Sequence, residues 1–263
     1  MKNMTRRQTG DAGVSEAIGF LLIFAMVITG IGLVTLYGYP MLMQQQTSAD
    51  EQIMEKNMIV LQNDFKSLAY KTVPYKETSL KIGGGSLSVN NFLTSGPRFQ
   101  IDDTGPVLLA NPTGDLRYYS VKSQTEISLQ NGAVVTTNIG GYSGGGSVML
   151  AEPRWFFDKT TATLVINVIN ISSTGLMSKE GIGTVRMKLG QTEYLRKDYP
   201  GSENIRITYT PGPGTGQDYS KAWQNYFENT MEMTCSTGPL TCNTGNKVRV
   251  LVVKRTDVEI TSL

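Results

Sequence analysis

The stretch that decides the fold is VSEAIGFLLIFAMVITGIGLVTLYGYPML, residues 14–42. No charged side chain lies between Glu16 and Asp50, and residues 17–39 supply 23 consecutive uncharged and mainly apolar positions. A helix needs about 20 such residues to cross a bilayer, and a secretory signal has only roughly 7–15. The stretch therefore predicts a helix that stays on the protein and spans a membrane at about residues 17–39.

Three basic residues precede this helix. Lys2, Arg6 and Arg7 are accompanied by one acid, Asp11, before the apolar run begins. Positive charges next to a membrane helix keep that side in the cytoplasm. We therefore expect a single-pass protein of the cell membrane whose part after about residue 40 lies outside.

The residues around Gly13 point to a narrower class than a plain anchor. A small residue stands directly before the apolar run in Gly13-Val14-Ser15-Glu16-Ala17-Ile18-Gly19-Phe20. From about residue 6 to residue 40 the chain resembles archaeal type IV pilins and archaellins. The resemblance implies a leader, residues 1–13, which a prepilin-type leader peptidase cuts between Gly13 and Val14. Gly10 and Ala12 are alternative cut sites.

The same resemblance implies a role in assembly for the mature helix. It would anchor the subunit first in the membrane and then in a filament core, with this protein or other pilins as partners. Glu16, then the third residue, would pair with the terminal amine of a neighbouring subunit. Two alternatives stay open: a minor pilin, and an anchored surface-binding protein that never polymerises, in which Glu16 is only a favourable first-turn acid.

After Pro40, where a kink or break is expected, the chain becomes amphipathic. Met54, Met58, Leu61, Phe65 and Leu68 follow one another at spacings of 4, 3, 4 and 3. This spacing predicts a helical stripe, so we assign residues 14–72 to a hydrophobic and then amphipathic helix. The helix packs its stripe on the protein's own domain or contacts neighbouring helices in a filament, and both can hold on different faces.

The sequence pattern of residues 73–263 is typical of β-structure. Short β-prone runs, many alternating apolar with polar residues, recur between Gly, Asn, Ser and Pro. The chain is therefore predicted to be α+β, with a long N-terminal helix and a mainly antiparallel, β-sandwich-like extracellular domain. One helix is expected at residues 220–231. The predicted core includes Leu80, Ile82, Leu129, Trp155, Leu164, Ile166, Val168, Val250 and Val252.

Local motifs in this domain predict loops and two modification sites. Gly83-Gly84-Gly85 is expected to form a hairpin loop, and residues 140–146 and 211–216 to form surface loops. Cys235 and Cys242 are expected to form a disulfide outside the membrane. Asn170-Ile171-Ser172 makes Asn170 a candidate for glycosylation.

Composition argues against several functional classes. The 263 residues contain no histidine and two cysteines, which excludes His-based catalytic arrangements and Cys₄ or Cys₂His₂ metal sites. The net charge is +2, so no overall field attracts nucleic acid. The acidic residues are scattered along the sequence. We therefore predict no enzyme, no cofactor, no metal and no nucleic-acid partner.

Overall fold

The computed structural model describes residues 11–71, 73–91, 96–105, 107–138, 146–212, 218–245 and 247–263. Parts of the predicted loops at 140–146 and 211–216 lie outside these ranges. The helical elements are α1 (Asp11–Leu33), a π-helical turn (Val34–Gly38), α2 (Tyr39–Lys71) and α3 (Ser220–Asn229). The chain divides into two units, one ending at Ser48 and one running from Ala49 to Leu263. We call the second the globular unit.

The globular unit carries all the described strands. They are β1 (Tyr75–Asn90), β2 (Arg98–Asp102), β3 (Leu109–Pro112), β4 (Asp115–Ser120), β5 (Thr125–Gln130), β6 (Ala133–Asn138), β7 (Val148–Ala151), β8 (Phe156–Asp158), β9 (Thr163–Ser173), β10 (Met177–Glu203), β11 (Arg206–Thr210), β12 (Thr234–Ser236), β13 (Leu240–Asn243) and β14 (Val248–Ser262). They form a nine-stranded sheet in the order β7-β6-β5-β4-β1-β10-β14-β9-β8 and a five-stranded sheet in the order β12-β13-β11-β2-β3. Pairing is antiparallel except between β9 and β14. The predicted α+β class is confirmed, as is the helix after residue 220.

The nine-stranded sheet is strongly curled. Its two edge strands, β7 and β8, are consecutive in the chain, and only residues 152–155 connect them. Eight strand spacings would place the edges of a flat sheet about 38 Å apart. The five Cα steps from Ala151 to Phe156 span at most about 19 Å. The edges must therefore approach one another.

The second half of α2 packs on one face of this sheet. Met54, Met58, Leu61, Phe65 and Leu68 are all fully buried, in one core with residues from seven strands. The stripe thus packs on its own domain, and contact of another face of the helix with neighbouring helices stays a prediction. For the same reason the globular unit begins at Ala49, well before the predicted boundary at residue 73.

A polar contact from α2 reaches the edge of the curled sheet. Gln62, which is also buried, donates from Nε2 to the carbonyl oxygens of Gly132 at 2.8 Å and Glu152 at 2.9 Å. These carbonyls belong to the β5–β6 turn and to the residue after β7. The sheet therefore curls around the helix.

The opposite face of the nine-stranded sheet packs against the five-stranded sheet and α3. Alternation along β9 shows the two faces: Leu164, Ile166 and Val168 join this second core, while Ile169 and Ile171 join the core around α2. The centre of the second core, beside α3, is aromatic, and the ring centroids of Phe99 and Trp223 lie 4.6 Å apart.

One predicted hairpin loop is wrong. Gly83-Gly84-Gly85 does not reverse the chain but forms a bulge inside β1, because Ile82 pairs with Gly181 and Ser86 pairs with Glu180 of the same partner strand. Gly85 must be glycine because the backbone of Tyr119 on β4 lies too close to leave room for a side chain. A Cβ on Gly85 would lie 2.3 Å from the carbonyl oxygen of Tyr119.

Most of the predicted core is confirmed, but the prediction of which β14 residues face the core is wrong. Val250 and Val252 are half-buried, whereas Leu251 and Val253 are buried in the core beside α3. β14 lies inside the sheet between β10 and β9. Both faces of such a strand are partly covered, so its sequence is apolar throughout and alternation does not define the buried face.

Candidate functional site

The apolar half of the N-terminal helix is the most prominent functional candidate. Large side chains of α1 and the π-helical turn are exposed on all sides, for example Phe20 at 70% and Leu36 at 70%. Within the described residues, this is the one helix that is long and apolar enough to cross a membrane, by length and composition. An exposed apolar surface of this size marks a membrane or protein contact.

Helical structure continues through Pro40. The π-helical turn Val34–Gly38 ends two residues before it, and the backbone N–H of Tyr39 donates to the carbonyl oxygen of Val34. Proline has no N–H to donate to the carbonyl four residues earlier, and a π-helical turn is one way in which a helix absorbs such a defect. The expected break is therefore a local change of helix type.

The predicted processing and assembly residues lie at the start of α1. The backbone of Gly13 and Val14 is helical, because α1 is described from Asp11 onward. The side chain of Glu16 is exposed. Residues 1–10 of the predicted leader lie outside the described ranges, as do the alternative cut site Gly10 and the basic residues Lys2, Arg6 and Arg7.

Sequence reasoning missed a buried charge cluster inside the globular unit. Asp115 and Arg117 on β4 lie beside Glu126 on β5, on the face toward the five-stranded sheet. The Arg117 guanidinium is 2.8 Å from the Asp115 carboxylate and 3.2 Å from that of Glu126. Tyr219, the residue before α3, donates its hydroxyl to Glu126. The alternation of β4 and β5 placed these acids inward, but sequence alone did not show which strands are adjacent.

Burial governs the electrostatics of this cluster. It raises the pKa of Glu126, and Arg117 partly opposes that rise. Burial alone would lower the pKa of Arg117. The carboxylates of Asp115 and Glu126 raise it by more, so the pKa is raised overall and the guanidinium stays charged. Burial and the neighbouring Glu126 raise the pKa of Tyr219 well above its usual value. Because Asp115 and Glu126 are 0% and 3% exposed, the cluster fastens β4 and β5 to the start of α3 and does not face solvent.

Outside this cluster, Asp103, Asp158 and Glu193 each have separate partners in the structure. Asp103 binds Lys197 and Tyr199, Asp158 binds Thr161, and Glu193 lies 3.5 Å from Arg255. Asp103 also accepts a hydrogen bond from the Gly105 N–H, as in a turn. Among the described residues no group of three or more acidic or cysteine side chains is placed to hold a metal ion.

Comparison with known proteins gives one match. A protein-family model described as a family of unknown function, DUF7289, matches residues 13–261. The chain belongs to this family. No curated protein and no solved structure matches it.

In this DUF7289 chain the two cysteines form a disulfide. Cys235 on β12 pairs with Cys242 on β13, where their Cα atoms are 4.1 Å apart. The bridge is the one that the cysteine spacing predicts. It closes the hairpin that forms one wall of a cleft of about 420 Å³ beside α3.

The candidate glycosylation site, Asn170, is inaccessible in the folded chain. Asn170 lies in the middle of β9 and is fully buried. Its Nδ2 donates to Asp257 on the neighbouring strand at 2.8 Å. A glycosyltransferase needs this nitrogen exposed, so the folded chain does not present the sequon.

Proposed function

We propose that this chain is a type IV pilin-like surface protein. A prepilin-type leader peptidase cuts it between Gly13 and Val14, and α1 then holds it in the membrane or enters a filament core. The β-rich globular unit serves adhesion or surface contact, without catalysing a reaction. The observation that carries the proposal is the contrast along one helical region: the stripe of α2 is buried in the globular unit, whereas α1 is apolar and exposed.

The exposed side chains of α1 need an apolar environment. Burying one large aliphatic or aromatic side chain contributes about 1.5–3 kcal/mol, and α1 carries more than ten of them. A bilayer supplies this environment before assembly, and the helices of neighbouring subunits supply it afterwards. Transfer from one to the other keeps the apolar surface away from water throughout.

A negative charge near the end of such a helix needs a partner in an apolar surrounding. A cut after Gly13 would create an amine on Val14, two residues from Glu16. A carboxylate entering an apolar core is costly unless it is paired. Pairing between Glu16 of one subunit and the amine of another would satisfy both charges and set the axial position of the subunits.

Processing is tested on the mature N-terminus. Intact mass and terminal peptide mapping of the membrane-extracted protein should give a chain that starts at Val14. Gly13→Phe should abolish this start, because a bulky residue replaces the small one before the cut. Gly19→Phe, which lies inside the span, is the matched control and should leave processing intact. A wild-type start at Met1, with Lys2, Arg6 and Arg7 retained, would contradict the proposal.

Assembly is tested with Glu16→Gln. We expect at least a tenfold loss of sheared filament and an unchanged amount of protein in membranes, because the substitution removes the partner of the amine and not the apolar surface. Glu180→Gln, an exposed acid of the globular unit, is the charge-matched control. Equal filament from wild type and Glu16→Gln would refute the role of Glu16.

A second candidate is a single-pass anchored binding protein that does not polymerise. The observation that favours it is that the α2 stripe is used within the chain itself, so that the stripe is not available to neighbouring helices. Absence of filaments from cells that produce the processed wild-type protein would favour this candidate.

A further inference from the structure

Three positive charges and two tyrosines from four separate segments meet on the globular unit. Lys66 and Tyr70 lie in the last turns of α2, Arg154 in the β7–β8 link, Tyr194 on β10 and Lys254 on β14. We call these five residues the cationic patch. The sequence gives no basic run that predicts it, because the patch forms where the curled sheet closes beside the end of α2.

The geometry of the patch centres on the ring of Tyr70. The guanidinium of Arg154 lies 5.1 Å from the ring centroid, and Nζ of Lys254 lies 5.6 Å from it. The same Nζ is 5.2 Å from the ring of Tyr194, which is 69% exposed. Cations at these distances are attracted to the aromatic ring, so the aromatic rings hold the positive charges together.

The charges of the patch lack acidic partners. Across the described ranges no carboxylate lies within 4 Å of Lys66, Arg154 or Lys254, whereas seven other lysines and arginines of the chain have one. Lys66 and Lys254 instead donate to the carbonyl oxygens of Glu152, at 3.2 Å, and Ala69, at 2.6 Å. Carbonyl oxygens satisfy hydrogen-bond donors but do not neutralise the charge.

The surroundings of Lys66 disfavour its positive charge and so lower its pKa. Burial lowers it, the nearby charge of Arg154 lowers it further, and Glu152 partly opposes them. The Glu152 carboxylate itself accepts a hydrogen bond from Thr230 at 2.9 Å. An external anion placed over the patch would relieve the repulsion between Lys66 and Arg154.

We propose that the cationic patch binds an acidic polysaccharide through the carboxylate of a uronic acid unit. Arginine binds carboxylates with two parallel hydrogen bonds, and the exposed ring of Tyr194 offers an apolar surface to the carbohydrate ring beside it. The inference rests on the proposed role of the globular unit in surface contact. It does not depend on leader processing or on filament assembly.

The position of the patch suits surface contact. The helix enters the globular unit at Ala49, and Tyr70 lies 21 residues further along α2, which corresponds to about 32 Å of helix. The patch therefore lies far from the end at which the chain enters the unit. It is on the helix-bearing face of β10 and β14, beyond the residues that α2 covers.

Binding of the full-length chain in detergent micelles to immobilised polygalacturonate tests the inference. Arg154→Gln should weaken binding about tenfold, since one charge-assisted contact is lost, and adding Lys254→Gln should weaken it about tenfold again. Arg154 is exposed, so its removal should leave the melting temperature unchanged. Lys188→Gln, which removes an exposed charge elsewhere on β10, should bind like wild type.

The probe has a matched control as well. Fully methyl-esterified polygalacturonate keeps the sugar backbone but lacks the charge, and we expect no binding to it. Equal binding of both polymers, or equal binding by wild type and Arg154→Gln, would overturn the inference. Binding of polyphosphate as strong as that of polygalacturonate would also overturn it, in favour of a site for anions in general.

Discussion

Arg117→Leu is expected to destabilise the globular unit by about 3–5 kcal/mol, the usual effect of removing one partner from a buried ion pair. The substitution leaves the carboxylates of Asp115 and Glu126 buried beside each other without a cation. Urea unfolding followed by tryptophan fluorescence measures the effect. Both tryptophans of the chain, Trp155 and Trp223, lie in the core beside this cluster.

The pH dependence of this effect gives a sharper test. Burial raises the pKa of Glu126 in the folded chain, so its contribution to stability is present below the unfolded pKa and is lost as pH rises through the folded pKa. Arg117 limits that loss, because it lowers the folded pKa. Without Arg117 the loss grows, and the difference from wild type should be larger at about pH 8 than at about pH 5.

A surface ion pair provides the control for Arg117. Arg196 lies 3.0 Å from Asp198, and both side chains are exposed. Exposed pairs contribute roughly 0–1 kcal/mol, so Arg196→Leu should change stability little at any pH. A loss for Arg117→Leu that is as small as this, or that does not vary with pH, would show that the buried cluster is dispensable.

The features that followed from local sequence were predictable. The apolar run at residues 17–39 has the length of a membrane span. The stripe from Met54 to Leu68 and the helix at Ser220 each have a helical period that a single element imposes on its own residues. The disulfide was also predictable, because Cys235 and Cys242 are close in sequence with a turn between them. The α+β class follows from these helical segments together with the alternating β-prone runs of residues 73–263.

The features that depend on which strands meet were not predictable. Gly83-Gly84-Gly85 has the composition of a turn, and only pairing of both its flanks with β10 shows that it is a bulge. The inward acids Asp115 and Glu126 look like ordinary surface residues until Arg117 and Tyr219 are placed beside them. The burial of Asn170 is likewise not visible in the local sequence, because it depends on the neighbouring β14.

The cationic patch belongs to the same category. Lys66, Arg154 and Lys254 are separated by 88 and 100 residues along the chain, so no window of sequence contains two of them. They meet because the short β7–β8 link draws the edges of the nine-stranded sheet together next to α2. Long-range closure of a sheet thus creates a surface that sequence patterns do not reveal.

Phe65→Ala is expected to lower the stability of the globular unit by about 3–5 kcal/mol. Phe65 is fully buried between α2 and the curled sheet, so truncation removes apolar contacts and leaves a cavity that the surrounding strands cannot close. Val60 on the same helix is 50% exposed, and Val60→Ala should change stability by no more than about 0.5 kcal/mol.

The site of the fluorescence probes makes this second test informative about cooperativity. Phe65 packs on one face of the nine-stranded sheet, whereas Trp155 and Trp223 lie on the other. If the sheet couples its two faces into one folding unit, Phe65→Ala must shift the tryptophan transition and the loss of helical circular dichroism together. An unshifted tryptophan transition with early loss of helix signal would mean that α2 only docks on a sheet that is stable without it. That result would contradict its role as a core element, and it would make the α2 stripe available for contacts between subunits.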